Sequence, residues 1–279
     1  MTSPFFQSAA IRSGLISLYR IYARSQVWRE GPRVFVNSIP KAGTHLVTSW
    51  LDRIPQLQHS RLWVRERFVN ANGGYGERVS DFEFDRSAFD SHLATVRNGQ
   101  FFTGHLQSGP ELLAALQEGG VRTLFVKRHP LDVLVSQFHY IKGLRRHSKH
   151  AFFMGLASDD DRINVLMRGS NEPHIIGMAD QLRAYRGWHE APGVFPVSFE
   201  DLVGERGGGA DSLRDRTHAS ILEFLGLPAD ALGQQATPAA SATFRKGKMN
   251  AWAELLTPDR LSRLTDDDRQ AIHEFGYDI

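Results

Sequence analysis

Residues 34–51, VFVNSIPKAGTHLVTSWL, decide the fold of this 279-residue chain. The first five residues are apolar or small and show no helical period, which predicts a buried strand. A turn follows over residues 39–44, IPKAGT. A helix is predicted next, because apolar residues recur on one face until Pro55 stops it. The stretch therefore predicts a strand, a glycine-containing loop and a helix.

Such a loop is suited to bind an anion, because its amides and the helix N-terminus present unpaired donors. Lys41 adds a positive charge and Thr44 a hydroxyl group. The nucleotide-binding pattern GxxxxGK[ST] is absent, since Lys41 precedes Gly43 and no Lys-Ser/Thr pair follows to hold Mg²⁺. By itself the loop is equally compatible with a structural turn.

A second strand is predicted over residues 124–126, followed by a turn at Arg128 and a helix with Pro130 in its first turn. The carboxyl ends of parallel strands share one edge, so Arg128 is expected near Lys41. An arginine fork can grip a phosphate at two points, and the hydroxyl of Ser136 can complete the shell. Taken singly, these residues also fit an ordinary ion pair and a solvent-facing hydroxyl.

A third basic stretch, FRKGK, lies far along the chain at 244–248. Arg245 and Lys246 are adjacent cations, and Gly247 lets the backbone approach an anion closely. The alternative interpretation is a solvated run of charge.

Strands and helices alternate along the rest of the chain. A helix is predicted over 111–118, a strand over 194–199, and a helix over 221–225 that ends at Gly226. The polar residues 65–100 are expected to form loops over a cleft. Alternation of this kind predicts a single α/β domain with a central parallel sheet flanked by helices.

Composition excludes several classes of function. The chain has no cysteine, which rules out disulfides, thiolate zinc sites and cysteine nucleophiles. None of its 12 histidines lies in an HExxH pattern, and the formal charge of +2 does not indicate a nucleic-acid partner. No run of 18 apolar residues occurs, so no membrane-spanning helix is predicted.

Residues 1–30 are predicted as an N-terminal amphipathic helix preceding a domain over 31–279. Three roles remain open for it: a helix docked on the domain, attachment to an anionic membrane surface, or a targeting peptide. Its apolar face consists of Ile11, Leu15, Leu18, Tyr19 and Tyr22.

Taken together, the segments resemble PAPS-dependent sulfotransferases of the cytosolic type (PAPS is 3'-phosphoadenosine 5'-phosphosulfate, and PAP the product left after transfer). The resemblance covers roughly residues 34–256 in order. The matching segments are PKAGTH at 40–45, FFTGHL at 101–106, VKRHPLDVLVSQFHY at 126–140, VSFEDL at 197–202, ILEFLGLP at 221–228 and FRKGKMNAW at 244–252.

The resemblance implies a P-loop-like sulfotransferase fold and transfer of a sulfuryl group from PAPS without a metal ion. Lys41 would contact the bridging oxygen and the leaving phosphate, and His105 would be the general base. The residues implied to bind the donor are Lys41, Ala42, Gly43, Thr44, His45, Leu46, Arg128, Ser136, Arg245, Lys246 and Gly247.

The chain departs from the family pattern at four positions. His45 replaces a second hydroxyl residue, and Leu46 replaces a tryptophan that stacks on adenine. Thr103 stands where the family has a lysine, and Phe199 where it often has a tyrosine. These changes leave inference about the acceptor loose, and the family's dimer motif is not evident, so the oligomeric state stays open.

Two other functions remain as alternatives: a small-molecule kinase of related fold, and a non-catalytic protein that binds nucleotides or sulfated glycans. The acceptor is expected to be a small molecule, a lipid or a glycan, bound by the variable loops 60–100 and 142–175. The basic residues 142–150 favour an anionic acceptor. The aromatic residues Trp63, Phe68, Phe152 and Phe153 favour an apolar one.

A cytoplasmic enzyme is expected, with peripheral membrane contact through residues 1–30 left open.

Overall fold

The computed structural model describes residues 31–72, 82–231 and 247–279, so the predicted N-terminal helix lies outside the described residues. At its centre is a five-stranded parallel sheet in the order β2-β3-β1-β4-β5. The predicted α/β fold class with a parallel sheet is confirmed. Within the described ranges, every helix is too short or too polar to cross a lipid bilayer. The strands are β1 (Arg33–Ser38), β2 (Gln58–Val64), β3 (Gln100–Gly104), β4 (Val121–Lys127) and β5 (Val194–Ser198).

Helices follow most strands and cover both faces of the sheet. Short 3₁₀ turns occur at Glu66–Phe68, Glu205–Gly207 and Ala251–Glu254. The α-helices are α1 (Thr44–Leu51), α2 (Arg86–Leu93), α3 (Pro110–Glu118), α4 (Pro130–Gly143), α5 (His150–Gly155), α6 (Asp159–Arg168), α7 (Met178–Arg186), α8 (Phe199–Leu202), α9 (Asp211–Leu225), α10 (Pro258–Leu261) and α11 (Asp266–Glu274).

The central strands are buried on both faces, which explains their continuous apolar sequences. On one face, Phe35 stacks on Phe102 with ring centroids 4.7 Å apart. These two rings belong to an apolar cluster that also includes buried residues of helices α4, α7 and α11. On the other face, residues such as Val36 and Leu124 pack against α1 and α9. The sheet therefore lies between two apolar layers.

The expectation that residues 65–100 form only loops is wrong. This segment contains α2, whose N-cap Asp85 accepts a hydrogen bond from the Ala88 amide at 2.8 Å. Only Phe89 and Leu93 of α2 are buried, so its sequence shows little helical periodicity. Likewise, residues 142–175, expected as loops, contain α5 and α6.

The carboxyl ends of the central strands meet at one edge of the sheet. Asn37 in β1 is in register with Gly104 of β3 and with Phe125 of β4. The Asn37 side chain is fully buried and makes two hydrogen bonds of 2.9 Å, one to the Leu106 carbonyl and one from the Leu106 amide. It thereby fixes the path of the chain as it leaves β3, including His105.

We expect Asn37→Leu to lower the free energy of unfolding by about 1–3 kcal/mol, because it leaves the buried Leu106 amide without a partner and the Leu106 carbonyl with only the Trp188 indole N–H, at 3.0 Å. Chemical denaturation would measure the loss. The matched control is Asn164→Leu in α6, a half-buried position whose side chain makes no hydrogen bond to described residues, and it should change stability by less than about 1 kcal/mol. Equal effects of both variants would contradict this role for Asn37.

Candidate functional site

The loop between β1 and α1 has an unusual backbone. Lys41 has φ 77° and Gly43 has φ 119°, both in the left-handed region. This conformation costs a non-glycine residue roughly 1–2 kcal/mol, so the Lys41 backbone is strained. A Cβ added at Gly43 would lie 2.7 Å from the Phe199 ring. Both its φ and its close approach to Phe199 therefore require glycine at position 43.

The start of α1 presents free backbone donors. The N–H groups of Gly43, Thr44 and His45 donate no hydrogen bond to any described residue, as expected for the first turn of a helix. No acidic side chain occupies this turn. Helix N-termini with exposed amides and a positive dipole end attract anions. The loop therefore has the donors and the polarity of a phosphate or sulfate site.

Lys41 is half-buried beside two other groups of the site. Its Nζ lies 3.8 Å from the centre of the Tyr140 ring. Burial lowers the pKa of Lys41, and the positive charge of Arg128 acts in the same direction. Lys41 and Arg128, 87 positions apart in sequence, thus occupy one region, as sequence analysis expected.

Arg128 is 8% exposed and incompletely paired. Its Nη2 donates to the Lys248 carbonyl at 2.9 Å and lies 3.5 Å from an Asp132 oxygen. The guanidinium also lies over the Phe199 ring, 4.2 Å from its centre. Its Nε has no hydrogen-bond partner among the described residues. Within the described residues this N–H is therefore an unsatisfied buried donor.

The segment after the FRKGK stretch lies against the start of α4. Asp132 accepts hydrogen bonds from the amides of Asn250, at 3.0 Å, and Trp252, at 2.9 Å. Gly247 is half-buried with φ 51°. The neighbouring Arg245 and Lys246 lie outside the described residues. The structure therefore brings the described part of this segment beside Arg128.

Ser136 lies on the same stripe of α4 as Asp132 and Tyr140, because residues four apart share a helix face. It is half-buried, and its hydroxyl makes no hydrogen bond to a described residue. At one end of this stripe Asp132 contacts Arg128, and at the other end Tyr140 contacts Lys41. Ser136 is thus placed between the two cations.

His105 follows β3 and joins the loop through Ser38. Its Nδ1 lies 2.8 Å from the Ser38 carbonyl, which can only accept, so Nδ1 carries the proton and Nε2 is free to accept one. The Ser38 hydroxyl lies 3.1 Å from the same Nδ1 and shares a 2.6 Å hydrogen bond with the Thr44 hydroxyl. The edge of Trp63 meets the ring of His105, with centroids 6.0 Å apart.

The environment of His105 keeps the imidazole neutral. Burial lowers its pKa to about 4, the hydrogen bond to Ser38 opposes this shift, and the charges of His45 and Lys41 add to it. The pKa of His45 is also lowered, first by burial and then by Lys41. At neutral pH the His105 ring is therefore a base able to accept a proton at Nε2.

Two of the predicted donor-binding residues make contacts within the protein instead of presenting free polar groups. Ala42 is fully buried and its amide donates to the Ile39 carbonyl at 3.0 Å. Leu46 is half-buried and packs on the apolar cluster beneath α1. Neither contact bears on whether these residues touch a donor.

Several residues of the site escaped sequence analysis. Asn37 and Ser38 lie within the predicted strand, and the usable signal for their role is that they are polar residues at the end of a buried apolar run. Asp132, four positions after Arg128, is a recognisable helical ion-pair spacing. Tyr140 offered no such signal, because its contact with Lys41 depends on tertiary packing.

The described residues contain no group of three or more histidine, aspartate or glutamate side chains that could hold a metal ion.

Comparison with known proteins identifies the fold. No family model matches the sequence, and no curated protein matches it either. The structure is similar to that of mouse sulfotransferase SULT7A1 complexed with PAP, with a TM-score of 0.55 at 15% sequence identity. The match covers 93% of this chain and 94% of the mouse chain. The chain therefore has the sulfotransferase fold expected from its sequence motifs.

We expect the His105 ring to titrate near pH 4 in the free protein, well below the value of about 6.5 for an exposed histidine. Bound PAP should raise this pKa, because nearby negative charge favours the imidazolium. Ring-proton chemical shifts in NMR, assigned with His105→Gln, would measure both values. Titration near pH 6.5 in the free protein would contradict the buried environment described above.

Proposed function

We propose that the chain is a sulfotransferase that transfers a sulfuryl group from PAPS to a hydroxyl or amine of an acceptor. One observation carries this proposal: Lys41, Arg128 and the segment 247–252, far apart in sequence, lie together at the carboxyl edge of the sheet, with His105 joined to the same loop. The similarity of the fold to a sulfotransferase solved with PAP supports the choice of donor.

The residues around Arg128 fit the 3'-phosphate of the donor. Asp132 is engaged by two backbone amides, so it neutralises the guanidinium only in part. The unpartnered Nε of Arg128 gives a phosphate oxygen a place to bind. Ser136 and Gly247 would complete this end of the site, together with Arg245 and Lys246.

The residues around the loop fit the 5'-phosphosulfate. The amides of Gly43, Thr44 and His45 supply hydrogen bonds, and Lys41 supplies a full positive charge. When bound, PAPS supplies an activated sulfuryl group on a phosphate leaving group. Sulfuryl transfer resembles phosphoryl transfer, in which alignment and stabilisation of charge on the leaving oxygen provide most of the catalysis.

Two side chains then have distinct chemical tasks. Lys41 stabilises the negative charge that develops on the leaving oxygen, as an oxyanion donor does. His105 accepts the acceptor's proton at Nε2, while the Ser38 carbonyl holds its Nδ1–H. The hydrogen bond between Ser38 and Thr44 ties the orientation of this base to the loop that binds the sulfuryl end.

Arg128→Lys tests the donor site. It keeps the charge and loses the planar fork, so PAP should bind about 10–100-fold more weakly, the equivalent of one hydrogen bond to a charged group. Binding of adenosine 5'-monophosphate, which lacks the 3'-phosphate, should change little. Isothermal titration calorimetry would measure both affinities. An equal loss for both nucleotides would contradict the assignment of Arg128 to the 3'-phosphate.

His105→Gln and Lys41→Met test catalysis separately from binding. We expect His105→Gln to lower turnover by roughly 10²–10⁴-fold and Lys41→Met to lower it by at least about 10²-fold. PAP binding by His105→Gln should be preserved. Turnover would be followed by transfer of radiolabel from PAPS, with Arg97→Gln, an exposed residue in the loop before β3, as the control. Normal turnover of His105→Gln would remove it as the base.

The kinase alternative makes opposite predictions. A kinase would bind ATP with Mg²⁺ and lose activity in EDTA, whereas the proposed enzyme should be stabilised by PAP and keep its activity in EDTA. Thermal unfolding with PAP, ATP or a sulfated sugar, combined with the radiolabel assay, distinguishes the two enzymes from a non-catalytic binding protein.

A further inference from the structure

The ring of Tyr140 connects Lys41 to a second basic group. The Nζ of Lys41 lies over the Tyr140 ring, 3.8 Å from the ring centre. The Tyr140 ring also meets the ring of His147 edge-on, with centroids 5.4 Å apart. The turn that follows α4 therefore folds back towards the loop that binds the sulfuryl end.

Hydrogen bonds define the shape of this turn. The His147 amide donates to the Leu144 carbonyl at 2.8 Å, and the His150 amide donates to the His147 carbonyl at 2.9 Å. The Lys149 amide donates to Nδ1 of His147 at 3.2 Å. Because Nδ1 accepts this bond, neutral His147 carries its proton on Nε2, which makes no hydrogen bond to a described residue. His147 thus presents an N–H donor.

Charge compensation differs sharply within the basic residues 142–150. Lys142 is paired with Asp159 at 2.8 Å, which also binds Arg162, so Lys142 has a structural partner. Lys149 and His147 form no ion pair with a carboxylate of any described residue. Both are half-buried rather than solvated.

Every charged neighbour that shifts the pKa of His147 is cationic. Burial lowers that pKa first, followed by the charges of Lys149, His150 and Lys41. Burial alone lowers the pKa of Lys149. Lys149 is thus a partly buried cation without a counter-charge, and an anion bound beside it and the His147 N–H would offset the cost of its burial.

The position of this cluster along α4 separates it from Arg128, the residue assigned to the 3'-phosphate. Along α4, Asp132 lies at the Arg128 end and Ser136 one step further, each step of four residues advancing about 6 Å. Tyr140 lies another step on, beside Lys41, and His147 lies beyond it. The cluster therefore lies beside Lys41, at the end of α4 remote from Arg128, and an anion bound there would be next to the proposed sulfuryl position.

We propose that His147 and Lys149 form an anion subsite for the acceptor, so the acceptor carries a carboxylate, sulfate or phosphate near its reactive hydroxyl or amine. This inference rests on the proposed function, since it takes Lys41 to mark the sulfuryl position. The Nε2–H of His147 and the ammonium group of Lys149 bind the anion, and the Tyr140 ring forms the wall between that anion and Lys41.

Inorganic sulfate is the first probe, used on full-length protein saturated with PAP so that the donor site is filled. Sodium sulfate should raise the midpoint of thermal unfolding above that in sodium chloride of equal ionic strength. Lys149→Gln and His147→Gln should each abolish most of this difference, and Arg97→Gln, which removes an exposed charge elsewhere, should keep it. No sulfate effect in the wild type, or an undiminished effect in both variants, overturns the proposal.

Matched acceptors then identify the anionic group. Glucuronic acid, glucose 6-sulfate and glucose 6-phosphate would each be compared with glucuronamide by radiolabel transfer. Anionic sugars should react with a kcat/KM about 10–100-fold above the neutral sugar, and Lys149→Gln should remove this preference through KM with kcat nearly unchanged. A neutral sugar that reacts as well as every anionic one, or a preference unaffected by Lys149→Gln, overturns the proposal.

The two proposals fail in different ways. If PAP does not stabilise the wild type, the proposed donor site is wrong. If PAP stabilises the wild type and both variants equally, the fold and donor site are intact, and any loss of the sulfate effect belongs to the subsite alone.

Discussion

The parallel alignment of β1 between β3 and β4 is the constraint on which the site depends. It brings the ends of three strands to one edge, so residues distant in sequence emerge side by side. The buried Asn37 side chain then holds the exit from β3 against the exit from β1. Without that alignment, His105 and Arg128 would not lie next to the loop that contains Lys41.

The site that results is rich in positive charge that the protein itself leaves partly uncompensated. Arg128 is buried with an unpartnered Nε, and Lys41 contacts an aromatic ring in place of a carboxylate. Burial, and after it repulsion from Arg128, lowers the pKa of Lys41. Such a site favours a bound anion, and any ligand that binds only the folded chain stabilises it by mass action. Affinity for anions is therefore a direct consequence of the energetics of the empty protein.

Local patterns in the sequence were enough to predict β1, β4 and β5, the loop with its helix, and the shared position of Lys41 and Arg128, but not β2 and β3. They succeeded there because buried parallel strands leave continuous apolar runs and because parallel topology fixes which ends meet. The polar helix α2 was missed, since only Phe89 and Leu93 face the core. The Tyr140 contact was missed as well, because it arises from tertiary folding.

The close packing of Gly43 on Phe199 constrains how the sequence of this site can diverge. The backbone at position 199 is free to carry any side chain, so only packing selects the ring, which is 2% exposed and lies under the Arg128 guanidinium. Position 43 has no such freedom, because even with space available its left-handed backbone would still exclude ordinary side chains. Glycine at 43 is therefore required by its backbone as well as by packing, whereas the ring at 199 is held only by its contacts with neighbours such as Gly43 and Arg128.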